Sequence, residues 1–208
     1  MIRAGKRVLK KEFRAPGRPR GFDPERALLQ ALGVFWRQGY EGASLRELTK
    51  AMGINRPSMY AAFGNKERLF RRVLDRYASE SASYVREGLE RPTARGAVEA
   101  ILLGAAEELS AAGHPRGCLL VQGALACGRE SQRIQRELCS RRGEGELAIR
   151  QRLERAKTQG DLAPDADAGE LAGYVMAVLH GMSVEAVSGA SREKLRGIAR
   201  RAMQAWPA

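Results

Sequence analysis

Apolar residues recur every three to four positions along most of the chain, the spacing that places them on one side of an α-helix. In the first clear segment Leu28, Leu32 and Phe35 repeat in this way, and the pattern predicts a helix that begins at Asp23 and ends before Gly39. No alternating apolar and polar run of strand length is found, and there is no internal repeat. The sequence therefore predicts an all-α protein of about nine helices.

Two short helical segments follow, joined by a tight turn that contains one glycine. Ser44 and Glu47 form the sequence signature of a capping box at the start of the first, and Gly53 suits the left-handed residue that ends it. Asn55 is positioned to cap the second, which ends near residues 63–64. Asn65 then begins a longer helix that the pattern extends to about residue 89.

Beyond Pro92 every apolar pattern is helical. The predicted segments are residues 93–112, 116–127, 130–159 (with a break expected at 143–145), 167–187 and 191–205. The segment 167–187 is apolar almost all round. It carries Gly173, Ala177 and Gly181 four residues apart, which would let another helix approach closely. We expect it to form a dimer interface with the last helix; the alternative is a helix internal to the core.

Two short helices joined by a glycine turn are typical of a helix-turn-helix, in which the second helix places its first residues on DNA base edges. The first turns of the second helix contain Arg56, Pro57, Ser58 and Tyr60. Polar and cationic side chains at these positions are the types that contact bases and phosphates. Apolar residues of the same helix, such as Met59, are left to face inward.

The charge distribution supports a nucleic-acid partner. The net charge is +12. Residues 1–72 hold 17 Lys and Arg against six Asp and Glu, whereas residues 73–208 hold 19 against 18. An excess confined to one third of the chain is typical of a segment that binds a polyanion. Nucleic acid is the first interpretation, and an anionic membrane surface is the second.

Other classes of protein find little support. No run of about 20 apolar residues is present, and the basic N-terminus lacks the apolar core of a secretion signal, so a cytoplasmic protein is expected. Three cysteines, Cys118, Cys127 and Cys139, show neither a disulfide framework nor metal-binding spacing. No nucleophile–base pair or metal cluster is recognised. We therefore predict no enzyme activity, no catalytic residues, no metal site and no cofactor.

The segment FDPERALLQALGVFWRQGYEGASLRELTKAMGINRPSMYAAFGNKERLFRRVL, residues 22–74, resembles the tetracycline-repressor (TetR) family of bacterial transcription regulators. The residues that carry the resemblance are Phe35, Gly39, Tyr40, Ser44, Leu48, Gly53, Ile54, Tyr60, Phe63 and the run from Lys66 to Leu69. The resemblance implies a homodimer on a near-palindromic DNA operator and a C-terminal domain that binds a small-molecule effector. By family habit the regulator would be a repressor.

The resemblance also assigns roles to individual residues. Those expected to approach bases are Arg46, Arg56, Pro57 and Ser58, and those expected to hold phosphates are Ser44, Tyr60 and Lys66. The interpretation divides the chain into a disordered basic arm (1–21), a helix-turn-helix DNA-binding domain (22–66) and a ligand-binding and dimerisation domain (67–208). In the arm, Arg18 and Arg20 could lie in the minor groove, where arginine prefers narrow A·T-rich segments. The alternative is a solvated tail.

The effector pocket is the least specific prediction. Its expected wall residues are Tyr84, Cys118, Gln122, Met176 and His180, and an apolar lining would suit a hydrophobic or aromatic effector. Two alternatives stay open. Cys118 follows Arg116 near a helix start, so it could be a thiol that senses electrophiles or oxidants. The chain could instead bind nucleic acid without sequence preference.

Overall fold

The computed structural model describes residues 21–125 and 131–207; the predicted arm with Arg18 and Arg20, and also Cys127, lie outside these ranges. The described residues form ten helices and no strand, which confirms the all-α prediction. The helices are α1 (Pro24–Gly42), α2 (Leu45–Met52), α3 (Arg56–Phe63), α4 (Lys66–Ser79), α5 (Ser83–Leu89), α6 (Ala94–Leu109), α7 (Leu119–Leu125), α8 (Gln132–Thr158), α9 (Ala168–Val187) and α10 (Arg192–Gln204). No helix in these ranges is long and apolar enough to cross a membrane.

The helix starts follow the predicted caps. The carboxylate of Asp23 accepts from the amide of Glu25 (2.9 Å), and Asn55 Oδ1 accepts from the amide of Ser58 (2.8 Å). Both halves of the capping box at Ser44 form. Each cap satisfies an amide that the helix itself leaves without a partner, and this fixes where the helix begins.

Two predictions about helix continuity were wrong. The helix expected from Asn65 to residue 89 is divided into α4 and α5, which accounts for the tenth helix. After Ser79 the chain leaves the helical path, and the amide of Ala82 donates to the carbonyl of Tyr77, five residues back (3.1 Å). Conversely, α8 shows no break at 143–145. Its N-terminal half is buried in one hydrophobic core and its C-terminal half in another, so both ends are held.

Gly39 does interrupt the first helix as predicted. Its φ of 70° is left-handed, which a side chain would disfavour. The chain then makes one further turn to Gly42. This kink sets the direction of the chain as it enters α2.

The N-terminal core contains apolar side chains from α1 to α4. It includes Phe35, Leu48, Met59, Phe63, Phe70 and Tyr77, and it is joined from α7 and α8 by Leu119, Ile134 and Leu138. The buried face of α4 therefore packs with the helix-turn-helix, although the predicted domain boundary lies at its first residue. A second core is formed by α6, α8, α9 and α10.

Trp36 joins the N-terminal helices to the loop before α7. Its indole Nε1 donates to the carbonyl of Gly117 (3.1 Å), 81 residues away, and the bond is buried. The indole stacks on the ring of His114 with 4.6 Å between centroids, and Tyr77 meets it edge-on at 4.9 Å. These contacts link α1 and α4 to the loop that ends just before Cys118.

Candidate nucleic-acid interface and effector cavity

The second helix of the helix-turn-helix is held by its apolar side. Met59 and Phe63 of α3 are buried, as is Leu48 of α2. The left-handed Gly53 and the bond from the amide of Ile54 to the carbonyl of Thr49 (3.1 Å) tighten the turn between the two helices. The outer side of α3 is therefore presented on a rigid support.

Arg56, Pro57 and Tyr60 are exposed on that outer side, and Ser58 is half-buried in the same first turns. Tyr60 keeps 48% of its surface exposed, so its ring is not part of the core. Arg46 is exposed on α2. The structure thus brings four predicted contact residues of α3 together, with Arg46 on the preceding helix.

Ser44 is placed differently from the expected phosphate contact. Its hydroxyl donates to Glu47 Oε2 (2.6 Å) and accepts from the amide of Glu47 (3.2 Å). The bond from the hydroxyl, followed by a bond from the Ser44 amide to the same carboxylate, lowers the pKa of the Glu47 carboxyl below its ordinary value. The Ser44 hydroxyl could donate a hydrogen bond to a phosphate only if its bond to Glu47 were broken.

Lys66 is half-buried at the start of α4. Its ammonium lies over the ring of Tyr40, 4.5 Å from the centroid. Burial lowers the pKa of Lys66, and the neighbouring Glu41 acts in the opposite direction. The aromatic contact holds the cation beside the first amides of α4, where a phosphate is also favoured.

Arg72 is a further cation near α3 that sequence reasoning missed. It is exposed on α4, its guanidinium lies 4.9 Å from the centroid of Phe63, and Nη1 donates to the carbonyl of Ala62 (3.3 Å). Nothing in the spacing of α4 indicates this contact, because it depends on how α4 crosses α3.

A second feature is a small cavity of about 90 Å³ between α5, α7, α8 and α9. Four of the five predicted pocket residues line it: Tyr84, Cys118, Met176 and His180. Gln122 is not among its lining residues. Its side chain turns back to donate to the carbonyl of Arg116 (2.8 Å).

Among the titratable side chains that line the cavity, Tyr77 is buried, and Tyr84, Cys118 and His180 are half-buried. Burial is the main cause that raises the pKa of Tyr77 and of Tyr84, and the nearby Cys118 raises both further. Burial, followed by the charge of Arg142, lowers the pKa of His180. Nε2 of His180 is buried and has no hydrogen-bond partner in the described part of the chain. The cavity therefore offers an apolar wall with one unsatisfied imidazole nitrogen.

Cys118 has well-defined surroundings but lacks the predicted cation. Its amide donates to Ser183 Oγ (2.8 Å). The guanidinium of Arg116 instead donates to the carbonyl of Ala190 (3.0 Å). No group of three metal-ligating side chains occurs within residues 21–125 and 131–207.

One side of α9 is not covered by any of the residues that the structure describes. Ala177, Gly181, Val184 and Val187 are exposed, and Tyr174 is partly so. A Cβ built on Gly181 would meet nothing within 4 Å. These residues include two of the three small residues that the sequence places at a predicted interface; the third, Gly173, is half-buried.

Comparison with known proteins gives a consistent result over nearly the whole chain. The model of "Bacterial regulatory proteins, tetR family" matches residues 27–73, and that of "Tetracyclin repressor-like, C-terminal domain" matches residues 92–205. The HTH-type transcriptional repressor ComR of Escherichia coli is 35% identical over 193 residues, which is 92% of each chain.

Two solved structures are also similar. A cysteine mutant of the TetR family transcriptional regulator CifR, complexed with 26-base-pair double-strand operator DNA, is 44% identical with a TM-score of 0.88. The match covers 91% of this chain and 100% of that one. A TetR transcriptional regulator from Rhodococcus is 45% identical with a TM-score of 0.61, covering 89% and 99% of the two chains.

Proposed function

Because the chain belongs to the TetR family of bacterial regulatory proteins, we propose that it regulates transcription by binding a near-palindromic operator as a homodimer. A small-molecule effector releases it, and its action on the gene is repression. The observation that carries the proposal is the exposed outer side of α3, with Arg56, Pro57 and Tyr60 on a support fixed by buried apolar residues. The similar protein CifR is bound to operator DNA.

The geometry suits separate roles for α2 and α3 on DNA. α2 lies across the phosphate backbone, while the first turns of α3 enter the major groove. Arg46, Arg56, Pro57 and Ser58 approach base edges, and Tyr60 and Lys66 lie towards phosphates. Ser44 joins them only if its hydroxyl gives up the bond to Glu47. Because the N-terminal third of the chain is strongly basic, binding releases counterions and weakens steeply as salt rises.

The remaining assignments follow from the same scheme. The basic arm, residues 1–21, places Arg18 and Arg20 in the minor groove, and residues 22–66 form the reading head. Residues 67–208 bind the effector and dimerise, with α4 packed on the head. Such a protein acts on chromosomal DNA in the cytoplasm and needs no enzymatic activity.

The dimer forms through α9 and α10. The exposed face of α9 bears small and apolar side chains, and two copies would pack it into a four-helix interface with α10. Small residues in the interface allow the helix axes to approach closely. The two reading heads then face half-sites about one helical turn apart or a multiple of it.

The effector acts through the cavity beside Tyr77. This residue lines the cavity, and its ring also packs against Trp36 of α1. A ligand that displaces Tyr77 or the segment at Cys118 would thus move α1 relative to the C-terminal helices. Because α1 supports α2, the spacing of the two heads changes.

The proposal is tested by selecting bound duplexes from a random DNA pool with the full-length protein. The expected result is a two-fold symmetric consensus bound roughly 10³-fold or more tightly than random DNA. Arg56→Gln should weaken consensus binding by about 1–3 kcal/mol, whereas Arg133→Gln, an exposed charge on α8, should change it little. Recovery of no consensus would support nonspecific nucleic-acid binding instead.

A further inference from the structure

An open groove of about 690 Å³ lies beside the small cavity. It runs between α5 and α8, and it shares wall residues with the cavity, among them Ala82, Val85 and Leu120. The two spaces are therefore neighbours, separated by side chains that border both. A single elongated molecule could occupy both if those side chains moved aside.

Arg152 of α8 forms part of the wall of this groove, and its position is unusual for a cation. Only 5% of its surface is exposed. Its Nη2 donates to the carbonyls of Arg91 (2.9 Å) and Pro92 (2.8 Å), whereas its Nη1 is buried and has no partner among the residues that the structure describes. No ion pair joins it to a carboxylate in the described ranges.

A buried guanidinium without a counter-charge is costly, so arginine is seldom kept in such a place without an anion. The two carbonyls satisfy part of its hydrogen-bonding capacity but bring no negative charge. A carboxylate or phosphate at the groove would supply the charge, and it would offer Nη1 an acceptor. Because Nη1 is itself covered, the anion meets it only after a neighbouring side chain moves.

The rest of the groove is also positive. Arg86, Arg91 and Arg155 are exposed along it, against the two acids Glu90 and Glu144. A fifth arginine, Arg141, already pairs with Asp75 and Glu137. An anion in the groove would therefore meet a net positive wall even with Arg141 neutralised.

The floor of the groove has the opposite character. Ala78, Val85, Leu89, Pro92 and Leu120 form it. The adjoining cavity has Met176 and Leu179 in its wall, with Nε2 of His180 as a buried polar atom. Apolar surface next to a buried cation matches a molecule that has an anionic end and an apolar body.

We propose that the groove and cavity together bind an amphipathic anion, with its carboxylate or phosphate head at Arg152 and its apolar part against α5 and in the cavity. The effector would then be an amphipathic anion, and its role in regulation rests on the proposed function. The binding site itself does not depend on DNA recognition.

The first test compares ligands on the unmodified protein by calorimetry. The probes are octanoate, octyl phosphate, octanol and inorganic phosphate. Octanoate or octyl phosphate should bind at least about tenfold more tightly than both octanol and inorganic phosphate, and whichever of the two binds better identifies the head group. Octanol binding as tightly as the better of the two anionic probes would overturn the anion site. Inorganic phosphate binding as tightly as octyl phosphate would overturn the apolar part.

The second test removes the cation. Arg152→Gln should weaken binding of the better anionic probe by about tenfold or more and leave octanol binding unaltered. Arg150→Gln, which removes an equal charge from an exposed position of the same helix, should have little effect. Because Arg152 also holds the carbonyls before α6, the thermal unfolding midpoint of each variant is measured alongside. Should Arg152→Gln not fold, Arg86→Gln combined with Arg155→Gln must show a smaller loss of the same sign, and no loss would overturn the proposal.

Failure of this inference and failure of the proposed function are distinguished by measuring operator binding separately. A protein that selects an operator but binds octanol as tightly as the better anionic probe lacks the anion site and keeps its regulatory role. A protein that binds the anionic probe but no DNA sequence keeps the site and loses that role.

Discussion

The hydroxyl of Ser44 can donate one hydrogen bond, and in the structure it donates to the carboxylate of Glu47. Ser44, Asp23, Asn55 and Asn65 were predictable as caps because a cap depends on neighbours only a few residues away. The contacts of Lys66 with Tyr40 and of Trp36 with Gly117 were not, because they join residues that are distant along the chain. Gln122 was expected to line the cavity and does not, because its side chain bonds the carbonyl of Arg116 in the preceding loop, a contact that helical spacing does not indicate.

Ser44→Ala should lower the free energy of unfolding by about 1 kcal/mol, because the first amides of α2 lose their acceptor. Ser44→Asn, which keeps an acceptor at the cap, should lose much less. Denaturant unfolding of the three proteins measures this. Equal losses in both variants would contradict the capping role. Since the pKa of Glu47 is lowered in the fold, the contribution of the box is present above the carboxyl's ordinary pKa and is lost as pH falls through the lowered one.

His180 predicts a pH dependence on the acid side of neutrality. Its pKa is lowered in the folded chain from an ordinary value of 6.5, by burial and by Arg142, with Glu146 opposing. As pH falls through 6.5, the unfolded chain binds a proton that the folded chain does not, so stability falls until the lowered pKa is reached.

We expect His180→Gln to remove that part of the slope, at most about 1.4 kcal/mol per pH unit for one proton. Chemical unfolding of wild type and variant between about pH 7.5 and pH 5.5 measures it. Parallel stability curves for the two proteins would show that His180 titrates alike in both states.

At the scale of helices, the sequence predicted most elements because apolar spacing and end signals agree along the chain. The break between α4 and α5 was missed, since residues 79–82 contain no glycine or proline. The break expected in α8 does not occur, although this part of the sequence does contain glycines. Gly143 and Gly145 weaken a helix locally, but burial of Ile134 and Leu138 on one side and of Leu153 on the other outweighs that cost.

Because Trp36 links α1 to the loop before α7, we expect a loss of stability when its ring is made smaller. Trp36→Phe removes the donor to the buried carbonyl of Gly117, and an unsatisfied buried acceptor costs about 1–3 kcal/mol. Trp206→Phe, a buried ring of the other core, is the matched control and should cost less. Urea unfolding gives both values, and a larger loss for Trp206→Phe would argue against the importance of this link.

At the scale of the whole molecule, the uneven charge was readable from sequence, whereas the division into cores was not. Helical periodicity shows which side of α4 is buried but not which neighbours bury it. In the structure those neighbours belong to the N-terminal core. The groove at Arg152 was equally hidden, because a single arginine on a charged helix looks solvated in the sequence.

The exposed side of α9 predicts how to make the protein monomeric. Val184 is 51% exposed in one chain, and Val184→Arg would bury a charge in the proposed interface at a cost of several kcal/mol. Light scattering should show half the mass, and operator affinity should fall with it. Gln135→Arg, an exposed site on α8, should leave the mass unchanged. A dimeric Val184→Arg protein would place the interface elsewhere.

The continuity of α8 has a mechanical consequence. Its 27 residues span about 40 Å, and each end is anchored in a different core. Near the middle are Gly143 and Gly145, and a Cβ built on either would meet nothing within 4 Å. The helix is thus held at both ends and bends most easily at its centre. A molecule that fills the groove and pushes on α8 would bend it there and tilt its N-terminal end. Gly143→Ala should stiffen that centre and raise the free energy of unfolding by about 0.5–1 kcal/mol, measurable by urea denaturation. A decrease would mean that the centre of α8 depends on the absence of a side chain.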